Sequence, residues 1–426
     1  MDDSLTAPEQ RGKAGHAAIG FGEFVVLAAA ILSTQALAVD AMLPALPTIT
    51  RELAVANANH GQWIVTAYIV GVGFGQLFWG MISDRFGRRP VLISGLFLYV
   101  LAAAACGLTQ SFPALLGWRL LHGTAAASAV VTRSVIRDLY SGRTMARVLS
   151  LTFMVFLMVP IVAPSVGQLI LLLAPWRTVF MVFAAFAACI GTWALLRLPE
   201  TLHPEFRLTL TVRHIVGAVG MVLGDRTSLY YTLAVTVMFG SLISYVGMVQ
   251  QIFAEVFHRA SWMPTMFALC AVFMGLASFL NSRIVERLGM RRISHAALLI
   301  YIGVTLGHLL VAALGLERLW TFVALQAATM ACFSLAVSNF GAMALEPLGS
   351  IAGIGASLQG FITTFGGALV GAAIGRKFND STLPLTVGAL GSGLLSLVCV
   401  LLAERGRLFR PHHPGSGSMA AELTHA

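Results

Sequence analysis

Two ionisable residues stand inside long apolar runs. Asp40 lies deep in FVVLAAAILSTQALAVDAMLPALPTI, and Arg119 lies in LLGWRLLHGTAAA. Holding a charge in hydrocarbon is costly, so such residues are read first as functional. Counted from Phe24, Asp40 lies about 24 Å along a helix that rises 1.5 Å per residue. Arg119 sits in a run that starts near Pro113 and travels the opposite way, about 9 Å from its start. In a hydrocarbon layer about 30 Å thick, both fall in the same outer half and can face each other across a cavity. Burial disfavours a carboxylate, while a neighbouring guanidinium favours it. A movable Asp40–Arg119 relation would therefore change proton affinity as the cavity opens. The competing reading puts Asp40 at the outer interface, solvated, with the run ending near Pro44.

A second concentration of charge is GMISDRFGRRPVLI, which holds Gly80, Asp84, Arg85, Gly87, Arg88 and Arg89 between two apolar runs. Attraction of basic residues to the cytoplasmic side explains the arginines. It explains neither the acid nor the glycine. Nor does it explain the weaker copy ERLGMRRI, with Glu286, Arg287, Gly289, Arg291 and Arg292, half a chain later. A phosphate loop would need a glycine-rich cradle and a lysine, and neither is present. A gate latch accounts for more. Asp84 would accept hydrogen bonds from arginines or from helix N-terminal amides of the other half, and Gly87 would permit a tight turn.

These residues must be positioned by membrane helices. The chain is 58% hydrophobic and 11% charged, with a mean hydropathy of +0.84; soluble domains carry roughly a quarter charged residues. Apolar runs predict spans near 24–48, 61–82, 90–110, 113–136, 147–172 and 176–197, then 229–252, 264–285, 293–314, 320–344, 352–375 and 384–403. The two loop copies make the halves parallel repeats. We expect a six-helix bundle over 1–198, a cytoplasmic linker over 199–228 that includes an interfacial helix, a second bundle over 229–404 and a tail over 405–426. The polar start with Arg11 and Lys13 reads as cytoplasmic rather than as a secretory signal. The bias of basic residues puts both termini in the cytoplasm.

The net charge of +9 fits anionic lipid headgroups; no nucleic-acid surface is expected. Cys106, Cys189, Cys270, Cys332 and Cys399 stand alone and read as packing residues, so no metal is expected. No catalytic constellation is present, which points away from an enzyme and from any cofactor. Span five, FMVFLMVPIVAPSVGQLILLL, should bend at Pro160 and Pro164, and Gly167 allows close helix contact. Candidate walls of a substrate cavity are Gln35, Tyr68, Met154, Met158, Tyr245, Met248, Gln251, Asn339 and Gln359; each is equally readable as ordinary packing. Arg133, Arg137 and Asp138 read as structural or gate residues. Glu346 falls at the cytoplasmic end of span ten.

Gly80 to Leu92 resembles the signature loop of the major facilitator superfamily, G-x-L-x-D-R-x-G-R-[RK], with Ile82 where Leu is usual. GFGQLFWGMISDRFGRRP is similar to the drug:proton antiporters with twelve spans, nearest the bicyclomycin/chloramphenicol-resistance (Bcr/CflA) branch. In span four Leu115, Arg119 and Gly123 match a family motif, with His122 in place of Gln. Asp40, Pro44 and Pro47 match the span-one motif, and Leu32 stands where some relatives carry a further acid. In span five Pro164 and Gly167 match the antiporter motif, while Ala163 and Gln168 replace glycines. The resemblance implies an all-α integral membrane protein of twelve transmembrane helices in two six-helix bundles. It further implies proton-coupled export of drugs or other amphipathic small molecules, with Asp40 and Arg119 as the coupling residues. The setting it implies is a monomer in the bacterial inner membrane. A same-fold carrier for a sugar or organic anion, and a non-transporting sensor or scaffold, are the alternatives.

Overall fold

The computed structural model describes residues 19–409 apart from 141, 204, 206–218 and 221; the side chains of residues 58, 142, 143, 146, 150, 153–157 and 349–354 also lie outside the description. Among the described residues every regular element is helical. In the first half the helices are α1 (Phe21–Asp40), α2 (Leu46–Glu52), α3 (Gln62–Phe86), α4 (Arg88–Leu108), α5 (Phe112–Ala126), α6 (Val131–Leu139), α7 (Gly142–Leu173) and α8 (Arg177–Arg197). In the second they are α9 (Arg226–Gln251), α10 (Met263–Leu288), α11 (Met290–Ala313), α12 (Leu319–Leu345), α13 (Ala352–Gly375) and α14 (Leu383–Ala403).

Short 3-10 turns join α1 to α2 and α5 to α6. Among the described residues the result is twelve membrane-length rods, of which eleven are long and apolar enough to cross a membrane. The twelfth, α7, is a 32-residue helix with Pro160 and Pro164 inside it. Its 153–157 stretch, which includes Met154, belongs to the side chains not described. Half of the linker expected over 199–228 falls on residues outside the description.

The chain turns sharply where glycine allows it. Gly87 (φ +104°) lies alone between α3 and α4, and Gly289 (φ +81°) does the same between α10 and α11. A residue with a Cβ is strained at these angles. The two loop copies therefore share a backbone device as well as a sequence. Proline opens α5, α10 and α14, where the missing N–H costs nothing. Asp225 caps α9 by accepting from the Ser228 amide at 2.7 Å.

In the first half α3 packs on α5, α4 on α8 and α1 on α7; in the second α9 packs on α13 and α14, and α11 and α10 on α12. The halves meet along α3 against α13 and along α7 against α10. Large apolar side chains such as Phe97, Leu108, Leu173, Phe279 and Ile300 remain exposed. In water they would be a liability; against lipid they are an ordinary surface. The composite rod of α1 and α2 is tied to α8 at both ends. At one end Arg197 and the Trp193 indole donate to Glu23, at 2.7 Å and 3.1 Å. At the other, Arg177 and the Trp176 indole both donate to Glu52 at 2.8 Å.

Candidate functional site

Asp40 is the final residue of α1. There the backbone leaves the helix: Ala41 N–H bonds Leu37 O and Met42 N–H bonds Val39 O. That passes over the carbonyl of Ala38, and the last carbonyls of a helix need outside donors. Arg119 supplies one, its Nη2 donating to Ala38 O at 3.2 Å. Its Nε donates to Ile64 O in α3 at 3.2 Å, and its Nη1 lies 3.2 Å from His122 Nδ1. The guanidinium also lies 4.2 Å from the centre of the Tyr68 ring, a favourable cation–π placement. Arg119 is fully buried.

So the structure brings Arg119 to the end of α1 but not into an ion pair with Asp40. Among the described residues Asp40 has no hydrogen-bond or ion-pair partner, and it is 6% exposed. Three of the arginine's five N–H groups go to two carbonyls and a neutral imidazole nitrogen. The solvated-interface alternative for Asp40 does not match this burial. His122 is enclosed by Tyr99 and Tyr68, with ring centroids at 4.2 and 5.2 Å, and among the described residues its Nε2 has no partner. An imidazole that accepts from Arg119 through Nδ1 carries its proton on Nε2. Sequence marked His122 as standing where Gln is usual; here it accepts from the arginine, which an amide oxygen can also do.

Two glycines make this site compact. A Cβ at Gly123 would meet the carbonyl of Tyr68, so α5 lies directly on α3 one turn beyond Arg119. A Cβ at Gly167 would meet the carbonyl of Ala41, with the Ala41 carbonyl carbon at 2.8 Å. The proline-containing helix α7 thus presses on the backbone next to Asp40. Pro164 is buried on the same face, and Pro160 is half-buried.

The charged loop forms a second centre. The buried Arg88 pairs with Asp84, with Ser83 Oγ at 2.8 Å and with Asp138 at 3.1 Å. Glu200, just past α8, accepts from the Arg88 amide at 2.9 Å and from the Arg89 amide at 3.3 Å; a carboxylate is favoured at a helix N-terminus. Arg89 donates from its side chain to Leu195 O, and Arg85 stacks on Phe86. The second copy repeats this plan. Arg291 pairs with Glu404, just past α14, at 2.7 Å and lies 3.9 Å from Glu346 at the end of α12. Tyr231 also donates to Glu404 at 2.7 Å. Glu286 and Arg287 are exposed and, among the described residues, unpaired. The expected cross-half contact of Asp84 is replaced in this conformation by its pairing with Arg88, an i,i+4 neighbour. Between the halves on this face lies an apolar cluster of Leu77, Leu348, Leu358 and Val222, beside Phe74 against Phe361 and Phe365.

At the opposite face a chain of amides crosses between the halves. Gln62 donates to Gln251 at 2.6 Å, Gln251 to Asn59 at 2.8 Å, and Asn59 to Phe378 O at 2.9 Å. Gln251, a candidate cavity residue, is therefore a closure residue here. Gln35 donates to Ala126 O at 2.9 Å, and Tyr68 donates to Gln35 O at 3.2 Å. Tyr245 stacks on Phe267 and Met248 is fully buried. Asn339 donates to Asn281 at 2.9 Å, joining α12 to α10, and Gln359 donates to Gly341 O at 3.2 Å. Met158 is 52% exposed. Tyr68, Tyr245 and Met248 belong to one buried apolar cluster, and Gln35 is bonded to Tyr68 at its side.

A family model described as Major Facilitator Superfamily matches residues 27–375. The chain belongs to the major facilitator superfamily. Within it, this chain is 31% identical over 352 residues to an uncharacterized MFS-type transporter, YdgK, of Bacillus subtilis; the match covers 81% of this chain and 86% of the relative. It is 29% identical over 355 residues to a bicyclomycin resistance protein homolog of Haemophilus influenzae, covering 82% and 89%. Over 172 residues it is 37% identical to a chloramphenicol resistance protein of Pseudomonas aeruginosa, covering 39% and 40%. Among solved structures a D-xylose-proton symporter superposes with a TM-score of 0.72 at 14% identity, covering 91% of this chain and 98% of the other. The relatives support the drug-resistance branch of the superfamily, and the superposition supports its fold. The protein is a multi-pass membrane transporter and not an enzyme.

Proposed function

We propose that this protein exports amphipathic small molecules, drugs among them, in exchange for protons by alternating access. The observation that carries this reading is Asp40, a buried acid at the broken end of α1 whose neighbouring arginine is engaged elsewhere. A carboxyl with no fixed partner can gain and lose a proton as its surroundings change. Arg119 is bonded to the same helix end in this conformation, so a shift of α1 relative to α5 would change both that bond and what the carboxyl faces. Relatives named for resistance to bicyclomycin and chloramphenicol support drugs as the cargo.

Both termini and the Asp84 loop are assigned to the cytoplasm of a bacterial inner membrane, supported by the distribution of arginine and lysine. The Gln62–Gln251–Asn59 chain is then the outer closure. The working unit is taken as a monomer of two bundles, 1–198 and 229–404, with substrate, protons and lipid as its only partners.

The test uses respiring inside-out vesicles, whose interior is acid. Adding a transported drug should raise internal pH as protons leave in exchange. The Asp40→Asn variant should lose this response, and unchanged antiport in that variant refutes the coupling role. No response to any drug across a broad panel would move the cargo to a physiological solute.

A further inference from the structure

Side chains from three helices hold the last turns of α1 before it ends. Tyr99 on α4 donates to Thr34 O at 3.1 Å, Tyr68 on α3 to Gln35 O at 3.2 Å, and Arg119 on α5 to Ala38 O at 3.2 Å. Both tyrosines are 1% exposed. Thr34 O and Gln35 O lie inside a continuous helix, where the N–H four residues on already serves them. The hydroxyls are second donors, so the carbonyls do not require them. A buried tyrosine does need an acceptor for its O–H, but a purely structural one can use any acceptor within reach. These two use neighbouring carbonyls of the same helix.

Their rings lie on a different layer. Both close on His122, with centroids 4.2 and 5.2 Å away, and the Tyr68 ring centre lies 4.2 Å from the Arg119 guanidinium. Each tyrosine thus touches the Arg119–His122 layer with its ring and α1 with its hydroxyl. The pair spaces the arginine from the helix that carries Asp40, which lies about 9 Å beyond Thr34 along α1.

We infer that Tyr68 and Tyr99 are positioning residues for Asp40, holding the end of α1 where the carboxyl and the Arg119 guanidinium stay apart. Without the hydroxyls, α1 settles toward α5 and the two charges pair. A carboxylate beside a guanidinium stays ionised to lower pH, so proton uptake moves toward acid. The other titratable or charged groups around this end of α1 are unchanged by the loss. They are His122 on α5, Cys106 on α4, Tyr245 on α9 and the exposed Arg51 on α2. α7 carries none over 158–173, and the charges of α8, Arg177 and Arg197, are held at its ends by Glu52 and Glu23. The effect on export rests on the transport reading above; the placement of the carboxyl does not.

The experiment is infrared difference spectroscopy of the purified full-length protein in lipid nanodiscs, titrated with acid. The Asp40 carboxyl band is the one lost in Asp40→Asn. Its midpoint should move toward acid by about one pH unit in Tyr68→Phe/Tyr99→Phe, the low end of what an adjacent arginine does. Where the double variant fails to fold, Tyr99→Phe alone should show a smaller shift of the same sign. Tyr301→Phe is the control: it removes an equally buried hydroxyl, bonded to Ser241 in the second half, and should leave the midpoint in place. An unmoved or alkaline-shifted midpoint, an equal shift in Tyr301→Phe, or no titrating band that depends on Asp40 would overturn the proposal. In inside-out vesicles the pH profile of drug-induced proton release should move with the band, while drug–drug exchange at fixed pH stays as in the unmodified protein. An equal fall in both assays with no shift of the profile would reduce the tyrosines to a structural role. A shifted band in a protein that exports nothing would uphold the positioning and refute the transport reading.

Discussion

Arg119→Lys offers a quantitative test of the candidate coupling site. The substitution keeps the charge and most of the length but removes the fork. Arg119 reaches Ala38 O, Ile64 O and His122 Nδ1 at 3.2 Å each, from three different nitrogens. A single ammonium at the end of a shorter stem can hold one of these in place, so two are lost. Bonds from a charged donor contribute about 1.5–3 kcal/mol each, and at these lengths the low end applies. The expected loss is therefore about 3 kcal/mol, roughly a hundredfold in the folding equilibrium. Unfolding in mixed detergent micelles would read this as a lower midpoint with an unchanged slope. The function should fall further than the stability, because Ala38 O is only two residues from Asp40. In vesicles the drug-induced pH response should vanish at temperatures where the variant is still folded. A variant within about 0.5 kcal/mol of the parent, with its proton response intact, would refute the claim that the three-way hold of Arg119 organises the end of α1; that margin is typical of inconsequential surface changes.

Other substitutions probe the remaining contacts. His122→Gln should be tolerated, since an amide oxygen can still accept from Arg119, whereas His122→Leu should lower both the unfolding midpoint and coupled export. Gly167→Ala should cost about 1–3 kcal/mol by overpacking, because its methyl lands on the Ala41 carbonyl; thermal unfolding and transport assays would both register it. Glu404→Leu leaves the mostly buried Arg291 with the longer 3.9 Å contact to Glu346 and should destabilise the protein by about 1.5–3 kcal/mol, measurable as a drop in midpoint that Glu404→Gln shares only in part. Gln251→Leu breaks the amide chain at its centre. It should raise the labelling rate of a cysteine placed at Thr50, which is buried beside the closure, by a membrane-impermeant maleimide in intact cells.

The spans were legible because lipid enforces a simple rule: about twenty apolar residues per crossing. Arg119 and Asp40 were legible as candidates because charge in such a run is rare. Their separation was not, since it depends on where α1 stops, and that is set by a one-residue shift in hydrogen bonding at Ala41 and Met42. The loop repeat was visible at Gly87 and Gly289. Of its partners, Asp138 was legible as a gate residue and Glu346 as lying on the same face; Glu200 and Glu404 were harder to find because they lie past the ends of distant helices. One signal was available: in each half an acid follows the last span directly, Glu200 after α8 and Glu404 after α14. The expected bridge from Asp84 to the other half assumed the halves would meet through charge. In this conformation local helix geometry gives Asp84 to Arg88, and greasy side chains make the crossing. Of the cavity candidates, Gln251 both lines the space between the halves and ties the closure from the end of α9.

The two ties of α1 and α2 to α8 have a mechanical consequence. A rod pinned at both ends neither slides nor tilts as a unit; under load it buckles at its weakest cross-section. Glu23 and Glu52 are the pins, and the interrupted ladder of hydrogen bonds from Ala41 to Ala45 is the weak section. Asp40 sits at the lip of that section. Force arriving through α7 at Gly167 is thus converted to rotation about the joint that carries the acid, with no need for the rest of the rod to move.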